Sequence, residues 1–218
     1  MTGFAPHLYV LPAAQRRLWN ELSQLPDEFV LYGGTALALH LGHRHSIDFD
    51  FFSRRDLNLA QLETGVGFLV GASVLQRERN TLSVVIDRGG PVKVSFFGVP
   101  RLPQLAQPHV AQDNAVKVAS LLDLAGTKAS VVQVRAEAKD YIDIDALLRV
   151  AKIDLPTAIS AACFLYGPSF NPQVTLKALS YFDDGNLRGL PEDLKHRLVE
   201  AARAVDLDQL PRIGNRAS

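Results

Sequence analysis

Residues 33–52, GGTALALHLGHRHSIDFDFF, constrain the fold more than any other stretch of the chain. A short apolar run, EFVLY (28–32), stops at Gly33-Gly34 and predicts a strand. Thr35 to Leu41 is rich in helix formers, and Gly42 stands where a left-handed C-cap would end that helix. The polar loop HRHS follows, then IDFDFFS (47–53), where acidic and apolar residues alternate with the two-residue period of a strand. On such a strand Asp48 and Asp50 project from one face, and Ile47, Phe49 and Phe51 form a core face behind them. Two carboxylates held this close cost free energy unless a cation sits between them or one takes up a proton. A divalent ion with hard oxygen ligands is the natural remedy, and Mg²⁺ takes one or two carboxylates and completes its shell with water and phosphate oxygens.

The remainder of the chain divides into two patterns. Before about residue 112 helix and strand signals alternate. A helix is expected over 12–25 with Leu18, Leu22 and Leu25 on one face, and another over 57–69. Strands are expected over 72–79, 82–87 and 91–97, with RN and RGGP as hairpin turns between them. RLPQLAQPH (101–109) is proline-rich, and beyond it the pattern is almost wholly helical: 120–134, 138–151, 155–166, 172–182 and 191–205, then a frayed tail, QLPRIGNRAS. The expected architecture is α+β, with an α/β core over 1–112 built on a small mixed or antiparallel sheet, followed by a helical domain over 113–218.

Composition narrows the function classes. Lys plus Arg and Asp plus Glu are equal at 23 each, so no global field favours a polyanion, and any such site must be local. One candidate is a patch formed by Arg16, Arg17, Arg54 and Arg55, although such a bare charge group is more often solvated surface. No apolar run approaches the roughly 20 residues of a membrane-spanning helix. The N-terminus has no basic region followed by an apolar one, so no signal peptide is expected, and a single cysteine, Cys163 in an apolar stretch, suits a reducing cytoplasm. His40, His43 and His45 invite a zinc reading, but one on a helix and two in a loop do not form an assured ligand set.

The Gly33-Gly34 turn opens a helix, where free amide groups bind phosphate well, and Thr35 adds a hydroxyl there. Downstream, LLDLAGTKASVVQVRAEAKDYIDIDALL (121–148) also carries organised polarity. Lys128 and Arg135 are two turns apart if they share a helix, and Asp140 and Asp143 share a face at i, i+3.

Taken together, GGTALALHLGHRHSIDFDFF and the 121–148 block resemble the DNA polymerase beta-like nucleotidyltransferases, and most closely the AbiEii/AbiGii-type toxin nucleotidyltransferases. The resemblance implies a polymerase beta-like core, and gives Gly33, Gly34 and Thr35 the triphosphate and Asp48 and Asp50 the metal, Mg²⁺. It places Arg44 and Ser46 at polar positions before the acids, to contact phosphate or orient the strand, Lys128 and Arg135 near nucleotide phosphate, and Asp140 at the acid of the downstream pair. It further implies transfer of an NMP from an NTP to a hydroxyl, a toxin–antitoxin or phage-defence setting with a cognate antitoxin, and for some members a tRNA acceptor. Many polymerase beta-like enzymes carry a third carboxylate on a later strand; Ser95 occupies that position in PVKVSFFGVP. Serine cannot act as a carboxylate base, so Asp140 is the expected substitute. The readings kept beside this one are a nucleotide-binding or interaction module without transfer activity, and a transferase modifying a small molecule such as an antibiotic.

Overall fold

The computed structural model describes residues 2–213. The chain divides into two units: the residues up to Leu102 together with Gln107–Ala119, and Pro103–Ala106 together with the residues from Ser120 onward.

The first unit is built on one mixed sheet of eight strands. In chain order they are β1 (Gly3–Phe4), β2 (Phe29–Tyr32), β3 (Phe49–Ser53), β4 (Ser73–Glu78), β5 (Thr81–Asp87), β6 (Pro91–Gly98), β7 (His109–Ala111) and β8 (Lys117–Val118). Their order across the sheet is β1-β7-β8-β2-β3-β6-β5-β4. The pairs β1–β7, β2–β8 and β3–β6 are parallel and the rest antiparallel. Three helices accompany the sheet: α1 (Ala13–Trp19), α2 (Gly33–Leu41) and α3 (Leu59–Gly65).

Register explains why β3 lies at the centre. Leu31, Phe51, Phe96 and Leu82 stand in one row across β2, β3, β6 and β5, and none is exposed to solvent. Each buried aromatic or aliphatic side chain in such a row stabilises the fold by about 1.5–3 kcal/mol. The rings of Phe51 and Phe96 lie 5.7 Å apart, and Trp19 extends the aromatic cluster to Phe49 at 6.2 Å. One residue along, the next row is Tyr32, Asp50, Ser95 and Ser83. The pleat therefore puts a polar row beside an apolar one, with the side chains on opposite faces.

The expected helices and longer strands are present, and the α+β class holds. The sheet is larger than expected because β1, β7 and β8 are only two or three residues long, too short for periodicity to register. One local expectation fails. Ile47 is 58% exposed instead of lying on the core face. The ladder begins only at Phe49, paired with Val94, while the backbone carbonyl of Ile47 accepts a hydrogen bond from Gln15 Nε2 at 3.1 Å. Asp48 thus belongs to the loop before β3, and only Asp50 is a strand residue.

The second unit is helical: α4 (Leu121–Val131), α5 (Ala138–Arg149), α6 (Leu155–Tyr166), α7 (Pro172–Ala178) and α8 (Glu192–Arg203). Ser120 caps α4 by accepting from the Asp123 amide at 3.1 Å. The buried Asp123 carboxylate accepts from the amides of Leu105 and Ala106 at 2.8 and 3.1 Å, which fastens Pro103–Ala106 to this unit. α4 and α6 approach closely at Gly126, where a Cβ would stand 2.8 Å from the Ala161 carbonyl carbon. Arg197 of α8 clasps Asp145 of α5 through two hydrogen bonds of 2.7 and 3.0 Å. Of the tail expected to fray, 209–218, Gln209 ends a 3-10 turn begun at Leu207, and the residues after Ile213 lie outside the described ones. Among the described residues no helix is long and apolar enough to cross a membrane.

Candidate functional site

In the first unit the candidate residues gather around the start of α2 and β3. Gly33 begins α2 with a φ of +76°, a conformation costly to any residue with a Cβ. A Cβ there would also meet Asp50 Oδ2 at 3.1 Å. The glycine therefore lets the chain turn from β2 into the helix while the backbone stays close to the carboxylate. The first-turn amides of α2 have no intrahelical acceptor, so the partial positive end of the helix lies beside Asp50. Asp50 is itself fixed from both sides by in-register pairing with Tyr32 and Ser95.

Thr35 and Ser46 set the position of Asp48. Both side chains are buried, and the Thr35 hydroxyl donates to the Asp48 backbone carbonyl. Since that uses its single proton, Ser46 Oγ donates to Thr35 Oγ1 across 2.7 Å. The Ser46 amide also donates to Val10 O at 3.1 Å. The sequence reading puts the Thr35 hydroxyl at the triphosphate and Ser46 either at phosphate or orienting the strand; in the structure both hydroxyls hold the acid-bearing loop. Arg44, in the same loop, donates to the His45 carbonyl at 2.9 Å.

The donor chemistry can be tested against a metal. Asp48 and Asp50 are both partly exposed carboxylates on neighbouring backbone, and among the described residues no group of three or more His, Cys, Asp and Glu could enclose an ion. Two hard oxygen donors without a closed cage suit a cation that keeps water and phosphate oxygens in its shell, and do not suit a structural zinc. Two of the three histidines are bonded to backbone of the fold: His40 to Ala119 O at 2.9 Å and His45 to Val10 O at 3.2 Å. Burial holds the His40 imidazole down to about 4, against the hydrogen bond to Ala119, which favours the proton.

Ser95, opposite Asp50 on β6, is 2% exposed and accepts a hydrogen bond from Ser83 Oγ at 3.2 Å. The sheet position next to Asp50 therefore carries two paired hydroxyls and no acid.

In the second unit Lys128, Arg135 and Asp140 form one cluster. Lys128 Nζ lies 2.6 Å from Asp140 Oδ1 and 2.6 Å from Asp143 Oδ2, with the lysine 4% exposed and both acids fully covered. Arg135 donates to Asp140 from Nε at 2.7 Å and from a terminal nitrogen at 3.1 Å. Burial pushes the Asp140 carboxyl upward, but the Arg135 hydrogen bonds and the Lys128 charge outweigh it and leave the group below its ordinary value. Such a carboxylate is a poor proton acceptor. The shared helix face expected for Lys128 and Arg135 is not what joins them: α4 ends at Val131, and Arg135 reaches Asp140 from the following loop. Asp143, which sequence reading noted only as the face-mate of Asp140, completes the cluster.

Comparison with known proteins agrees with this geometry. Residues 17–211 match the family described as "Nucleotidyl transferase AbiEii toxin, Type IV TA system". An uncharacterised protein of Aquifex aeolicus (strain VF5), aq_aa25, is 31% identical over 160 residues, 72% of this chain and 75% of that protein. Two solved structures share the fold. MenT4, the nucleotidyltransferase toxin Rv2826c of Mycobacterium tuberculosis H37Rv, has a TM-score of 0.58 at 14% identity, covering 88% of this chain and 82% of its own. A candidate nucleotidyltransferase from H. pylori has a TM-score of 0.54 at 17% identity, covering 85% and 90%. With a strand, glycine turn and acid-bearing strand in place and the family match spanning nearly all of its length, this chain belongs to the AbiEii family of toxin nucleotidyltransferases and is a nucleotidyltransferase.

Proposed function

We propose that the protein transfers an NMP from an NTP to a hydroxyl acceptor with Mg²⁺, as the toxin of a cytoplasmic toxin–antitoxin pair, and that the acceptor is tRNA. The observation that carries the nucleotide site is the approach of Asp50 to Gly33: a Cβ at Gly33 would stand 3.1 Å from Asp50 Oδ2, so the glycine lets the carboxylate lie beside the start of α2. Asp48 and Asp50 would hold the metal, which when bound neutralises triphosphate charge and polarises the reacting phosphorus. Gly33 and Gly34 bring backbone amides to the triphosphate, and Thr35 and Ser46 keep Asp48 in place. The acceptor oxygen forms its bond to the α-phosphorus as the bond to the β-phosphate bridging oxygen breaks, and pyrophosphate leaves.

Within the helical unit, Asp140 acts as a positioning residue for Lys128 and Arg135. Arg135, with 43% of its side chain exposed, is the member of the cluster with surface to offer to phosphate charge. Because β6 presents Ser95 and Asp140 has lowered proton affinity, the acceptor proton goes to solvent or to a phosphate oxygen of the nucleotide. The test is incubation with Mg²⁺, each of the four labelled NTPs and total tRNA. Label transferred to tRNA by wild type and not by Asp48→Ala supports the proposal; nucleotide binding without transfer from any NTP overturns it.

A further inference from the structure

The loop that carries Ser46 and Asp48 also forms one wall of a second feature. A cleft of about 510 Å³ in the first unit is lined by Tyr9, Arg16, Arg17, Asn20 and His45, among others, and no carboxylate is among its lining residues. Both arginines come from α1, and both are anchored to backbone carbonyls: Arg16 donates to Leu11 O at 3.2 Å and Arg17 to Arg88 O at 2.7 Å. A carbonyl orients a guanidinium without neutralising it, so each keeps its full charge and spare N–H donors. His45 donates from Nδ1 to Val10 O at 3.2 Å, which holds its ring in place at the edge of the cleft. Tyr9 is 59% exposed and donates its hydroxyl to Gly42 O at 3.1 Å, so its ring is a fixed wall.

The contrast with the other arginine pair is informative. Arg54 and Arg55 follow the opposite end of β3 from Asp50, so the four arginines do not make one patch. Arg55 lines a separate cleft of about 480 Å³ that also holds Glu28 and Asp56, and it lies 3.7 Å from Glu28. There the positive charge is balanced locally. In the Arg16–Arg17 cleft no carboxylate among the described residues does so, and a chain with no net charge has gathered two cations beside the acid-bearing loop.

We propose that this cleft is an oxyanion site that holds a backbone phosphodiester of the acceptor, with Arg16 and Arg17 as the phosphate-binding residues and Asn20 as an accessory donor. The proposal rests on the nucleotidyltransferase reading for the identity of its ligand, but not for the existence of the site. The competing source of the same chemistry is the triphosphate of the NTP.

The experiment measures binding of a five-residue oligouridylate, and of its neutral methylphosphonate-linked counterpart, to wild type, Arg16→Gln/Arg17→Gln, Arg16→Lys/Arg17→Lys and Asp48→Asn over a range of KCl. NTP affinity in Mg²⁺ is measured on the same proteins. The Gln pair is expected to weaken the oligouridylate roughly tenfold or more and to reduce the salt slope by about 1.4, two contacts at about 0.7 each on a single strand. The neutral probe should show no such dependence, the Lys pair should restore the slope, and NTP affinity should be unchanged. Oligouridylate binding by the Gln pair equal to that of wild type overturns the proposal. So does a matching loss of NTP affinity, which would give the cleft to the triphosphate. Asp48→Asn separates the two readings: retained NTP affinity there would remove the nucleotide site while leaving the cleft measurement valid.

Discussion

Asp50 of β3 stands in register with Ser95 of β6, whose hydroxyl accepts from Ser83 on β5 at 3.2 Å. The neighbour that a three-carboxylate site would use is therefore a buried hydroxyl already satisfied by another hydroxyl. Ser95→Ala is expected to leave NMP transfer within about threefold of wild type and to cost about 1–3 kcal/mol, since the Ser83 hydroxyl loses its partner out of reach of water. Transfer assays beside urea denaturation check both parts, and a loss of activity far larger than the loss of folded protein would give Ser95 a catalytic role.

Asp48→Ala should remove metal-dependent NTP binding without unfolding the protein, because Asp48 is held in its loop through its backbone carbonyl, which the substitution leaves in place. In wild type, an Mg²⁺–NTP complex at about 100 times its Kd should add about 2.7 kcal/mol of stability. Thermal denaturation with and without ligand reads this directly. The variant should show no ligand-dependent rise in Tm, and its ligand-free Tm should match or exceed that of wild type.

Lys128 serves a different kind of role. It is enclosed with Asp140 and Asp143, and Lys128→Met would take the shared buried cation from both carboxylates, leaving Asp140 with Arg135, at a cost of about 3–5 kcal/mol. Denaturant titration should show that loss. Any fall in activity in this variant has to exceed the fall in folded fraction before the lysine is credited with contact to nucleotide.

Gly126→Ala sets two effects against each other. Alanine is the better helix former by about 1 kcal/mol. Its Cβ, however, would lie 2.8 Å from Ala161 C and 2.9 Å from Ala162 N, backbone atoms of α6 that cannot swing aside. Overpacking of this kind costs about 1–3 kcal/mol, so the helical unit should be destabilised on balance by about 1 kcal/mol, measured by chemical denaturation.

His40 predicts an acid limit. Its folded value of about 4 lies below the ordinary 6.5, so between these values the unfolded chain binds a proton that the folded chain refuses. Stability from this group is complete above pH 6.5 and declines as the pH falls toward 4, by about 3 kcal/mol in total. His40→Gln, which keeps a donor for Ala119 O, should flatten the stability profile in that window relative to wild type. An unchanged slope would show that the imidazole is not the group responsible.

Sequence alone determined the elements with a strong period or a strong stop signal. The strand–glycine–helix–strand order around Gly33 and Gly42, the antiparallel run of β4 to β6 and the five helices of the second unit all follow from local patterns of apolar residues, caps and turns. The pairing of Asp140 with Asp143 on one helix face was legible for the same reason. Only the tertiary structure decided the rest. Strands of two or three residues, β1, β7 and β8, exist because neighbours supply their hydrogen bonds. Ile47 left the core face because Gln15, a residue 32 positions away, takes its carbonyl. Thr35 and Ser46 became supports for Asp48, and Arg16 and Arg17 were separated from Arg54 and Arg55, through contacts made on folding. Local sequence fixes which face a side chain leaves by; the partner it meets there comes from elements distant in the chain, and that partner decides whether a charge holds the fold together or stays available to a ligand.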